Sequence, residues 1–130
     1  MNKMTTQDIL KAYKVEMINY LVPSANGNPN YNTKVFSGGG EMESFFGVYC
    51  KTVADLNEII IPTLQHFIDG NNPPMNETDA NIEGIDNFLI VQADGAHFYG
   101  LPNFEHLQTV PLDHLKIIAQ AWRDFLLQPF

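Results

Sequence analysis

Four histidines, one cysteine and a crowd of carboxylates are the groups in this 130-residue chain that could do chemistry. His66, His97, His106 and His114 stand among acids, as metal ligands would, but they are separated by 31, 9 and 8 residues. No two lie one helical turn apart, the spacing that sets paired imidazoles on one helix face. Asp94 and His97 can approach across a turn, and Asp113 precedes His114, yet such pairs alone predict incidental or structural roles and no metal. A nucleophile at Cys50 would need a base and a route for substrate. Its alternation with Phe46 and Val48 instead predicts a buried small hydrophobe. Ser24, Ser37 and Ser44 sit in no nucleophile elbow, and Ser37-Gly38-Gly39-Gly40 lacks the lysine and following helix of a phosphate-cradling loop. Glu41 and Glu43 could form a carboxylate pair on one side of an extended segment, and Asp79, Glu83 and Asp86 crowd together, but charge runs normally mark solvated surface. No catalytic residue, metal or cofactor is therefore expected.

The elements that must position these groups read as one α+β domain over residues 1–130, an antiparallel sheet of two hairpins packed against N-terminal, central and C-terminal helices. Ile9, Leu10, Tyr13, Met17, Ile18 and Leu21 recur at spacings of three and four, which predicts an amphipathic helix over Thr5–Val22. Pro23 to Asn30 is turn-forming. A first hairpin is expected from Thr33–Ser37 and Ser44–Cys50 around the glycine triplet. A helix over Thr52–Asp69 follows, kinked or split at Pro62. Asn71 to Gly84 reads as a mobile polar loop, and its Asn76-Glu77-Thr78 triplet matches a glycosylation acceptor to which little weight attaches.

Residues 87–101 carry the clearest strand signal, with Asp94-Gly95 as a two-residue turn that sets residue 91 opposite 98 and 89 opposite 100. Leu89, Val91, Ala93, Ala96, Phe98 and Gly100 then form one apolar core face. The other face, with Phe88, Ile90, Gln92 paired to His97, and Tyr99 opposite Ile90, is the candidate surface. Pro111 to Gln128 has the pattern of a last amphipathic helix, with Leu112, Leu115, Ile118, Ala119, Trp122, Phe125 and Leu126 in its stripe.

Charge is strongly segregated along these elements. Between Lys51 and Lys116 lie 64 residues with no Lys or Arg, ten Asp or Glu and all four histidines. Residues 1–40 carry a net +2, residues 41–113 a net −11 and residues 114–130 a net +1, giving −8 overall. Direct nucleic-acid binding is excluded by that balance, because phosphate neutralisation needs clustered Lys and Arg. No apolar run approaches the roughly 18 residues of a membrane span, the opening MNKMTTQDIL lacks the long apolar core of a secretory signal, and a single cysteine leaves no internal disulfide. A soluble cytoplasmic protein, monomeric or homodimeric, is expected.

In size, acidity and lack of catalytic motifs, and in the helix ending Ala121-Trp-Arg-Asp-Phe-Leu126, the chain resembles bacterial immunity proteins that neutralise cognate toxins. The resemblance implies a non-enzymatic inhibitor that covers or neighbours the active site of a basic, nuclease-type toxin. On that reading Asp79, Glu83, Asp86, Asp94 and Glu105 face the basic groove, with His97 and Tyr99 as less polar contacts. The composition supports the same class independently, since a field of one sign steers a basic partner while aromatics within a charged rim anchor it. Two other readings use the same residues differently: a nucleic-acid mimic that blocks DNA-binding proteins, and a ligand-binding or catalytic cleft over Gln92, His97 and Tyr99.

Overall fold

The computed structural model describes residues 4–70 and 79–129. Helix α1 (Thr6–Ala12) opens with a capping box in which Thr5 and Asp8 satisfy each other's backbone N–H groups. It stops at Ala12 and not at Val22. Lys14 turns to φ 58°, the Lys14 amide donates to the Lys11 carbonyl and the Val15 amide to the Leu10 carbonyl. This is a Schellman closure, which normally recruits glycine. A lysine in that position hides the stop from a sequence reading. The residues beyond it, Glu16–Val22, become strand β1, antiparallel to β2 (Tyr31–Ser37), so the continuous helix over Thr5–Val22 is corrected to a helix and a strand.

The hairpin expected around the glycine triplet does not form. Gly38, Gly39 and Gly40 all adopt positive φ and deliver the chain into helix α2 (Glu41–Ser44), which widens to a π turn over Phe45–Tyr49. Phe45 and Phe46 are both fully buried. Consecutive residues of a strand point to opposite faces, so a helical turn is what lets neighbouring phenylalanines enter one core. Helix α3 (Val53–Asp55) follows, capped by Thr52, and runs through a π turn (Leu56–Ile60) into α4 (Ile61–Ile68). Pro62 lacks the amide an α-helix would need, and the wider turn just before it, closed by the Ile61 amide on the Leu56 carbonyl, absorbs the defect.

The second sheet is a meander of four antiparallel strands, β3 (Asp79–Glu83), β4 (Asn87–Gln92), β5 (Gly95–Gly100) and β6 (Glu105–Val110). The mobile loop expected over residues 71–84 is corrected where it is described, because residues 79–83 pair with β4. Residues 71–78, with the Asn76 triplet, lie outside the described residues. In the β4–β5 hairpin the turn residues are Ala93 and Asp94, with Gln92 opposite Gly95, so residue 91 faces 96 and 89 faces 98. The register differs from the expected one by two residues. Since side chains alternate with a period of two, the shift keeps Leu89, Val91, Ala96 and Phe98 together on the buried face and expels only Ala93 to the exposed turn.

Helix α5 (Leu112–Leu127) buries Leu115, Ile118, Ala119 and Trp122, with Pro111 as its N-cap residue. Helices α4 and α5 pack together, and their buried side chains join one core with the inner face of the meander. Rings bridge the two sheets. Phe36 of β2 lies 5.2 Å from Phe46, Phe46 lies 5.4 Å from Phe45, and Phe45 lies 5.5 Å from Phe98 of β5. Trp122 stands edge-on to Phe36 and donates its indole N–H to the Cys50 carbonyl at 2.9 Å. The molecule is an α+β domain, as expected, with a two-stranded ribbon and a four-stranded meander in place of two hairpins. No described helix is long and apolar enough to cross a membrane.

Candidate functional site

The meander has one face against the helices and one without them. Along the second face the pairing sets two rows, Asn81–Ile90–His97–Thr109 and Glu83–Phe88–Tyr99–His106. Phe88, Ile90, His97 and Tyr99 are half-buried by their neighbours in the sheet, whereas their alternates Leu89, Val91 and Phe98 are inaccessible. Phe104 extends this surface from the β5–β6 turn, edge-on to Phe88 at 5.5 Å, and Ile85 is exposed in the β3–β4 turn. Phe104 takes φ 56° there, its amide bonded to the Gly100 carbonyl at 2.8 Å.

His97 is the centre of an ordered polar network. Its Nε2 lies 2.8 Å from Asp94 Oδ1 and its Nδ1 lies 3.0 Å from Thr109 Oγ1, which is also 2.8 Å from His106 Nε2. The His97 bond holds the Asp94 carboxyl below its ordinary range, so Asp94 is an acceptor only. The Nε2 of His97 must therefore carry hydrogen. With His97 neutral, Nδ1 accepts from the Thr109 hydroxyl, whose oxygen accepts in turn from the Nε2–H of His106. Every donor in this chain has an acceptor. The order carboxylate, imidazole, hydroxyl resembles a nucleophile and its base, but here the hydroxyl oxygen is already occupied by a second imidazole. The arrangement fixes rotamers on the open face. Tyr99 completes it by standing edge-on to His106 at 5.4 Å.

Of the acids expected to form one patch, the fold makes two groups. Asp94 lies in the β4–β5 turn and Asp79 pairs at that same end of the sheet, opposite Gln92. Glu83, Asp86 and Glu105 lie at the other end, around the β3–β4 and β5–β6 turns. The six residues of β4 separate the ends by roughly 20 Å. His97 and Tyr99 occupy the middle, opposite Ile90 and Phe88 and not opposite Gln92 and Ile90. Glu105 pairs with Gly100, in the row of the buried Asn87, so it flanks the outer face and does not line it.

No family model, curated protein or solved structure matches the chain. The site therefore rests on geometry. Among the described residues no group of three His, Cys, Asp or Glu could hold a metal. His114 serves structure, with Nδ1 2.8 Å from the Tyr13 hydroxyl where α1 meets α5, and His66 is exposed on α4. Cys50 is fully buried, and burial pushes its thiol up to about 12, which withholds the thiolate. The ligand cleft imagined over Gln92, His97 and Tyr99 coincides with neither of the two described grooves, which lie between α1, β1 and α5 and along the outer side of β2.

The placement of His106 and Thr109 beside His97 is not legible in the sequence, because β6 carries only a weak strand pattern. Glu105-His-Leu-Gln-Thr-Val110 is mostly polar, and a bulge that leaves Leu107 unpaired between the Phe98–Gln108 and Tyr99–His106 pairs breaks its alternation. The available signal was Val110 and Thr109 just ahead of the Pro111 helix start, matched to the β-rich run at 96–101.

Proposed function

We propose that the chain is an acidic protein-binding module that uses the open face of the meander to engage a basic partner. The observation that carries the reading is the composition of that face along its length. A half-buried strip of Phe88, Ile90, His97 and Tyr99 runs between an acidic end at Asp94 and another at Glu83 and Asp86. Aromatic anchors in the middle of a charged rim are what protein interfaces use, the anchors setting lifetime and the rim setting encounter rate. His97 and Tyr99 are pre-ordered by the network through Thr109 and His106, which lowers the entropy lost on binding.

The specific form of the proposal is an immunity protein. It covers the substrate groove of a cognate nuclease-type toxin, with its two acidic ends taking the places of phosphates and the aromatic strip excluding water between them. No catalytic step is part of this role.

Co-expression with the product of the neighbouring gene, scored for rescue from toxicity, tests it, together with association kinetics of the purified pair. Asp94→Lys combined with Glu83→Lys is expected to slow association about tenfold at low salt and to flatten its salt dependence. Tyr99→Ala is expected to speed dissociation instead. An association rate and salt dependence unchanged by the double reversal would refute steering by this face.

A further inference from the structure

Residues 17–33 form a run of 17 without one charged side chain, in a protein of net charge −8. The fold places this run in the β1–β2 ribbon and its loop, on the surface. Ile18, Tyr20, Leu21 and Tyr31 are 39%, 53%, 56% and 58% exposed. Among the described residues β1 pairs only with β2, which leaves the other edge of β1 open over seven residues. Both edges of the meander are defended, β3 by Glu83 and β6 by Glu105 and a bulge. The edge of β1 carries no such device beyond Glu16 at its end. A two-stranded ribbon is also marginal alone, and a third strand would stabilise it.

We propose that this edge is a homodimer interface, in which β1 pairs antiparallel with β1 of a second copy about a two-fold axis at Asn19. The sequence of the strand is self-complementary in that register. Glu16 meets Val22 of the second copy, Met17 meets Leu21, Ile18 meets Tyr20 and Asn19 meets Asn19. No like charges are opposed, and apolar residues on each face meet apolar residues, with Ile18 and Tyr20 forming a β-branched and aromatic pair. Two copies of charge −8 repel wherever acids meet, so a strand whose one charge, Glu16, lies at its end is where they can approach. The isologous contact closes the assembly at two and yields a continuous four-stranded sheet across the axis.

The same register accounts for the larger groove. Beyond Glu16 the β1–β2 loop of the second copy, residues 23–30, continues toward the groove of about 830 Å³ lined by Leu10, Lys11, Lys14, Met17 and Phe125. A loop without charge, rich in Asn and Pro, can fill an apolar-floored groove without opposing its two lysines.

Sedimentation equilibrium of the purified full chain tests the proposal. A concentration-dependent dimer is expected, and Tyr20→Lys or Ile18→Lys is expected to raise its Kd about 100-fold, because each substitution places two lysines at the interface. Both residues are exposed, so the circular dichroism melt of either variant should match the wild type at concentrations where both are monomeric. Glu58→Lys, which places a lysine on the exterior of the central helical segment instead, should leave the dimer intact. Asn19→Cys should give a disulfide-linked dimer on mild oxidation, and Tyr31→Cys on the far strand should not. A chain that stays monomeric at all concentrations overturns the proposal, and leaves the edge to a strand from another protein. A dimer indifferent to Tyr20→Lys and Ile18→Lys, or not cross-linked through Asn19→Cys, also overturns it.

Discussion

The meander and the ribbon are both antiparallel, both anchored by one buried face, and electrostatically opposite. The meander buries Leu89, Val91, Ala96 and Phe98 completely against the helices and carries acids at its ends and edges. The ribbon buries Phe36, lets Lys34 lie over the Phe125 ring at 4.4 Å, and turns uncharged residues outward. A sheet edge can be kept from promiscuous pairing by charge, and the meander does this. An edge left uncharged on a protein of net charge −8 is a place where another strand is tolerated.

The comparison is sharpened most by removing Phe98. It is inaccessible and edge-on to Phe45, so Phe98→Ala should cost about 3–5 kcal/mol in urea unfolding, whereas Tyr20→Ser on the ribbon should stay within about 0.5 kcal/mol at monomeric concentrations. Equal losses would mean that the ribbon is packed as firmly as the sheet. Next is the hinge that ties the ribbon to α1. Gly38 has φ 82°, and a Cβ there would lie 1.9 Å from the Lys14 carbonyl oxygen. Gly38→Ala should therefore lower stability by about 3 kcal/mol or more, read as a fall in Tm.

A pH experiment bears on the shared core. The folded thiol of Cys50 is raised to about 12 by burial first and by the Asp55 charge second, while the unfolded thiol ionises near about 8.5. The unfolded chain thus releases its proton first as pH rises. This contribution is complete below the unfolded value and declines above it, by at most about 1.4 kcal/mol per pH unit. Cys50→Ala should flatten the decline measured by denaturant unfolding between these values, and alkylation should need unfolding. The smallest effect is expected at the Schellman closure. Lys14→Gly removes the left-handed strain of φ 58° and should stabilise the protein by about 0.5–1 kcal/mol in thermal unfolding.

Residues 87–101 and 111–128 were legible because their patterns match local structure to burial. Leu89 to Phe98 alternate, and Leu115 to Trp122 repeat at helical spacing, so propensity and core placement agree. Residues 16–22 failed for the opposite reason. Met17, Ile18 and Leu21 continue the stripe of α1, and only the αL conformation of Lys14 and the pairing with β2 convert them to a strand. The edge strands β3 and β6 are polar on exposed faces, so their identity comes from β4 and β5. Of the candidate site, Asp94, His97 and Tyr99 were legible from the hairpin. Thr109 and His106, which order them, arrive from a strand the sequence does not announce.

The sequence by itself determined the charge field, the mixed and apolar faces of the central hairpin, the amphipathic last helix and the inert cysteine. These depend on composition and on periods of two and 3.6, which survive even a register error of two residues. Only the tertiary structure decided that the acids form two ends roughly 20 Å apart, that an aromatic and histidine strip lies between them, and that a strand charged only at Glu16 keeps an open edge. Each of those facts depends on which strand lies beside which. That choice is made by long-range pairing and burial, through contacts between residues far apart in the chain.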